Sequence, residues 1–179
     1  MQAQDILHFW FHELSDPQRF AKDDALDATL RERFGATLQA AARGELFGWR
    51  ATPLGRLAEI VVLDQFSRNI YRGTPQAFAQ DPQALTLAQE LVASGQDQSL
   101  DLVQRTFAYM PYMHSESLLI HAQACQLFAQ PGMADTLAYE QRHQAIIARF
   151  GRYPHRNAIL GRVSTAEELA FLALPGSSF

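Results

Sequence analysis

The stretch TPLGRLAEIVVLDQFSRNIYR, residues 52–72, decides the fold. Thr52 is an N-cap residue type, and Pro53 follows where a helix does not need the missing N–H. Leu57, Ile60, Val61 and Asp64 then recur at i, i+3, i+4 and i+7, the spacing of one helix face. The pattern predicts a helix running to about residue 69. Its unusual member is Asp64. A carboxylate on an apolar stripe must find a partner or be neutralised. Arg68 lies four residues further on the same face and can be that partner, and Asn69 adds a polar end to the helix.

The same signals recur outward from this helix. Leu7, Trp10, Phe11 and Leu14 predict a first helix over about residues 3–13. Leu26, Leu30, Phe34 and Leu38 step by four and predict a second over about 23–43, with Gly44 as its stop. Asp81-Pro82 repeats the start signal before QALTLAQELVAS, and Gly95 closes that helix. Leu100 to Met110 reads as a short helix ended by Pro111. Residues 115–129 and 134–150 read as longer helices joined by QPGMAD, and Ser164 to Glu167 as a capping box opening a last short one. No segment alternates with period two for more than four positions, so no sheet is expected. The expected architecture is all-α: seven or eight helices, antiparallel neighbours, one domain over residues 1–179.

Composition narrows the function. Hydrophobic residues are 47% and charged residues 19%, enough apolar mass for a core. A net charge of −4 argues against nucleic acid and anionic membranes as partners. No segment reaches the roughly 18 apolar residues of a membrane span. The N-terminal residues carry neither a basic flank nor a small-residue cleavage site. Cys125 is the sole cysteine, so an intrachain disulfide is impossible, and a cytoplasmic location is expected. Positive charge rests on 14 arginines and one lysine, Lys22. A GC-rich genome accounts for that bias, and so does a need for rigid bidentate contacts to oxyanions.

Three further segments place polar groups where burial is expected. In YMPYMHSE, residues 109–116, His114 and Glu116 stand at a helix start, where they either cap it or face a cavity. His143 shares a stripe with Tyr139, Ile146 and Phe150 and reads as a core histidine or a site residue. In RFGRYPHRNAILGR, residues 149–162, Gly151, Pro154 and Gly161 break regular helix, so Arg152, His155, Arg156 and Asn157 sit on a turn-rich segment. Arginines held this way suit oxyanion recognition. They suit internal pairing with Glu59, Asp64, Asp81 or Glu116 equally well.

DQFSRNIYR, PYMHSE, RFGRYPHRNAILGR followed by STAEELAFL, and the N-terminal ILHFWF together resemble the bacterial domain-of-unknown-function 924 family over almost the whole chain. The resemblance implies a tetratricopeptide-like α–α superhelix of stacked helical hairpins around a groove. It supplies no catalytic residue.

Known chemistries leave few options. Asp64, His114, Glu116, His143 and His155 are metal-ligand types, but no metal-binding spacing joins them, so no metal or other cofactor is expected. Ser67 and Ser115 lack a nucleophile elbow, and no phosphate loop is present. Cys125 reads as a core thiol. Two functions remain. One is a binding scaffold whose arginine-lined pocket takes a small carboxylate, another anion or a peptide end through Arg68, Asn69, Arg152, His155, Arg156 and Asn157. The other is an enzyme of hydrolase-like acid–base chemistry using Asp64, His114, Glu116 and His143.

Overall fold

The computed structural model describes residues 1–178. Ten α-helices, several of them short, and no strand occur among the described residues. None of those helices is long and apolar enough to cross a membrane. Packing divides the chain into two compact units, residues 1–72 with 76–111 and residues 73–75 with 112–179.

The first unit is built around the helix that opens at Pro53. α1 (Ala3–His8) runs into a π-helical turn, Phe9–Glu13, and is followed by α2 (Asp16–Phe20) and α3 (Asp24–Ala42). α4 (Pro53–Val61) also ends in a π-turn, Val62–Phe66, and continues as α5 (Ser67–Ile70). α6 (Asp81–Ala93) packs on α4, α1 packs on α4, and α3 packs on α5 and the second π-turn. The Thr52 hydroxyl accepts the Gly55 N–H at 3.0 Å, which is the predicted N-cap. Gly55 itself is required by closeness. A Cβ there would stand 2.0 Å from the Trp49 carbonyl oxygen, so only glycine lets the turn at 47–51 lie against α4.

Aromatic packing closes this unit. Phe66 meets Phe34 at 5.2 Å, Trp10 at 5.7 Å and Phe9 at 6.3 Å between ring centroids, and Trp10 meets Phe107 edge-on at 5.6 Å. Trp10, Phe34 and Phe66 are almost wholly buried. Each such side chain contributes about 1.5–3 kcal/mol relative to exposure.

α7 (Leu102–Met113) starts in the first unit and corrects the expectation at Pro111, which lies inside the helix rather than ending it. Proline removes one bond to the carbonyl four residues back. Here only two helical residues follow it, so the loss is confined to the final turn. The next helix, α8 (Leu118–Phe128), starts later than expected, with Ser117 at its N-cap position. His114 and Glu116 therefore sit in a connecting turn, and Glu116 is not in a first helical turn.

The second unit packs α8 against α9 (Ala134–Phe150), the bounds expected for that helix. Gly151, at φ 68°, closes α9 in the left-handed conformation. α10 (Ala166–Leu172) starts at a capping box of Thr165 and Glu168, one residue later than the sequence suggested. Ile146, Ile147 and Tyr153 form a small core with Phe150 and Phe171 against it. The buried face of α9 is Glu140, His143, Ile146 and Ile147. Tyr139 is 57% exposed and does not belong to that stripe, because the face turned inward is centred one residue further along the helix.

Candidate functional site

In the first unit the polar groups gather at the second π-turn. Five consecutive residues, Val62 to Phe66, are buried there, Asp64 and Gln65 among them. A π-turn takes one extra residue into a helical turn and is often found at functional positions. Arg68 Nη1 stands 3.1 Å from Asp64 Oδ1 and donates to the Asp64 carbonyl oxygen at 2.9 Å. The predicted pair is therefore formed. Arg68 also grips Asp81 with two hydrogen bonds, at 2.8 and 3.0 Å. Gln65 Nε2 donates to Asp64 Oδ2 at 2.5 Å. Asn69 turns elsewhere: its Oδ1 accepts from Arg72 at 3.2 Å, and Arg72 is bound bidentately to Asp27. The Ser67 hydroxyl is buried without a hydrogen-bond partner.

In the second unit two arginine–carboxylate forks hold the turn-rich segment. Arg162 bonds both oxygens of Glu116, at 2.7 and 2.9 Å, and the Tyr153 N–H donates to Glu116 Oε1 at 2.8 Å. Burial alone would raise the Glu116 pKa. The Arg162 and Tyr153 hydrogen bonds and the nearby charges of Arg162 and Arg156 outweigh it, and the group lies below the ordinary carboxylate value. Arg152 bonds both oxygens of Glu168, at 2.7 and 2.8 Å. That fork, with the Thr165 N–H, pulls Glu168 down to about 2. Arg156 is 6% exposed, donates to the His114 carbonyl oxygen at 3.0 Å and lies 4.6 Å over the Tyr153 ring. Asn157 is buried and donates to Ser164 Oγ at 3.0 Å.

Tyr153 is the hub of this unit. Its ring lies 5.5 Å from that of His155, 5.8 Å from that of His143 and 6.2 Å from that of His121. Its hydroxyl donates to the Met113 carbonyl oxygen at 2.6 Å and stands 3.2 Å from His121 Nε2. His121 Nε2 is also 2.8 Å from the Ser115 carbonyl oxygen, and Nδ1 is 2.6 Å from Glu140 Oε1. His121 and Glu140 are both fully buried. Burial raises the Glu140 pKa more than the His121 hydrogen bond and charge lower it. Glu140 Oε2 has no hydrogen-bond partner.

His143 Nδ1–H donates to the Tyr139 carbonyl oxygen at 2.8 Å. Its pKa falls to about 4, chiefly by burial, and also because His114, His121 and His155 oppose a further positive charge; the Tyr139 bond works the other way. His143 is thus neutral at physiological pH, with its second nitrogen unprotonated.

Of the residues singled out by sequence, Asp64, Arg68 and Asn69 fall in the first unit. His114, Glu116, His143, Arg152, His155, Arg156 and Asn157 fall in the second, gathered around Tyr153 and the two forks. Three central residues, His121, Glu140 and Tyr153, went unrecognised. Tyr153 lies in the turn-rich segment and carries no periodic signal, but the other two do: His121 precedes Ala124 and Phe128 at i+3 and i+7, and Glu140 precedes His143 and Ile147 likewise. Each is a polar residue on an apolar stripe, as Asp64 is. Among the described residues, no three histidine, cysteine or acidic side chains are arranged to hold a metal ion.

The family model described as bacterial protein of unknown function (DUF924) matches residues 6–176. The chain is also similar to a solved structure of a protein of unknown function from Agrobacterium tumefaciens, at 40% identity, over 96% of each chain, with a TM-score of 0.91. No match was found among curated proteins. The chain belongs to the DUF924 family.

Proposed function

We propose that this member of the DUF924 family is a binding scaffold, and that its second unit takes a small carboxylate, a related oxyanion or the carboxyl end of a peptide. The observation that carries this reading is the gathering of the Arg156 guanidinium and the His114 and His155 segments around Tyr153: Arg156 lies 4.6 Å over the Tyr153 ring and donates to the His114 carbonyl oxygen, and the His155 ring stands 5.5 Å from that of Tyr153. Burial first, and then the neighbouring imidazoles, oppose protonation of His143, and the hydrogen bonds and charge of Arg162, with Arg156, hold Glu116 ionised. His114 and His155 are half-buried at this place and form the reachable part of the site, with the buried Arg156 beside them. Guanidinium and imidazole groups held by a rigid frame match an oxyanion without a large ordering cost. The Glu116–Arg162 and Glu168–Arg152 forks act as that frame.

Isothermal calorimetry with acetate, succinate, phosphate and a short peptide tests the reading. Saturable binding at pH 7 that Arg156→Gln weakens at least tenfold is the expected result. Absence of heat from every member of the set, at millimolar concentrations, overturns it.

A second, catalytic reading is favoured by the Tyr153–His121–Glu140 chain of hydrogen bonds, in which a carboxylate orients an imidazole. It requires turnover of a hydrolysable ester or amide that Glu140→Gln abolishes. The tetratricopeptide-like stacking and a cytoplasmic location belong to the same proposal. The first is supported by the α8–α9 hairpin and the second by the lone cysteine.

A further inference from the structure

The His121–Glu140 pair permits a count of protons. The Ser115 carbonyl oxygen can only accept, so His121 Nε2, 2.8 Å away, must carry a hydrogen. Nδ1 faces Glu140 Oε1 at 2.6 Å, and one hydrogen must lie between them, on the ring or on the carboxyl. The pair therefore holds one proton more than a neutral imidazole beside a carboxylate. Removing it leaves two bad choices. Either an imidazole lone pair faces the Glu140 carboxylate, or the ring changes tautomer and a lone pair faces the Ser115 carbonyl, where the Tyr153 hydroxyl could reach it only by giving up the Met113 carbonyl oxygen. Both members are fully buried, so water does not relieve either conflict.

We propose that the His121–Glu140 pair is a proton-held latch on the turn that carries His114, Ser115 and Glu116: with the shared proton the turn is fastened to α8, and without it the turn is released. Its consequence for ligand binding, a loss of oxyanion affinity as pH rises, rests on the function proposed above.

The surroundings of the pair agree with a net-neutral, proton-retaining state. Cys125 on α8 interacts with Glu140, and Gln144 on α9 accepts from the Cys125 thiol. His143 on α9 and His114 and His155 on the adjoining segments bring imidazoles, and Tyr153 brings its hydroxyl, with Arg156 stacked on its ring. Imidazoles and a guanidinium nearby oppose a second proton on the pair. Glu140's carboxylate and burial oppose loss of the first.

Hydrogen exchange of the ligand-free protein tests the latch. Opening that releases the shared proton makes the opening constant rise about tenfold per pH unit. Amides at 115–121 should then exchange with that slope beyond the intrinsic chemistry of exchange. Glu140→Gln keeps both contacts without the extra proton, because a glutamine N–H can donate to Nδ1. It should flatten the slope while leaving the turn protected. A wild-type slope of zero, or an equal slope in Glu140→Gln, overturns the latch. Calorimetry on the same samples separates the two readings: a pH-dependent turn in a protein that binds no oxyanion refutes the binding function and leaves the latch standing.

Discussion

His143 makes the protein acid-sensitive in a window that can be stated in advance. Its folded pKa is about 4 against an ordinary value of 6.5. Because the folded value is depressed, the neutral ring favours folding above pH 6.5, and the advantage is lost as pH falls from 6.5 toward 4. At 1.36 kcal/mol per pH unit, the full effect is roughly 3 kcal/mol. About half of it should be gone by pH 5.2. Urea unfolding at pH 7.5, 6.5, 5.5 and 4.5 measures this directly. His143→Asn supplies the control, since its amide N–H can replace Nδ1–H toward the Tyr139 carbonyl oxygen and does not titrate. The variant should lose part of its stability to packing at every pH, yet run flatter than the wild type between pH 6.5 and 4.5. Parallel curves for the two proteins would refute the reasoning, because burial of His143 would then cost nothing in protons.

Other substitutions test the frame. Gly55→Ala should lower stability by about 1–3 kcal/mol in chemical denaturation, since the added carbon meets the Trp49 carbonyl oxygen. Phe66→Ala removes the ring shared by Phe9, Trp10 and Phe34, and a loss of about 3–5 kcal/mol is expected. Asp64→Asn should cost about 1.5–3 kcal/mol, not more, because Arg68 keeps its fork to Asp81. An unchanged midpoint there would remove Asp64 from the list of structural anchors. A single cooperative calorimetric transition is expected if residues 1–179 fold as one domain.

Most of the fold could be read from the chain because its helices carry independent marks. Thr52-Pro53, Asp81-Pro82 and Gly151 bound helices by local chemistry, and the bounds found for the helix at 134–150 match the periodicity. Pro111 misled because proline's cost depends on how much helix follows it, which sequence position alone does not reveal. The π-turn at Val62–Phe66 has no period of its own to detect. The Asp64–Arg68 pair was legible because both members lie on one helix. The forks Arg152–Glu168 and Arg162–Glu116, and the His121–Glu140 pair, join residues 16, 46 and 19 positions apart. Helical spacing places each member on a face but cannot match faces across the unit. The single-residue error at Tyr139 belongs with these: the stripe was seen, and its centre was not.

The central claim is that oxyanions bind in the second unit beside Arg156. Imidazole-resolved NMR at pH 7 during titration with succinate tests it most directly, because His8 and His12 lie in the first unit and serve as an internal control. The account predicts saturable shifts for His114 and His155, absent in Arg156→Gln, with His8 and His12 still. Equal drift of all the histidine signals, or none at all, would contradict it.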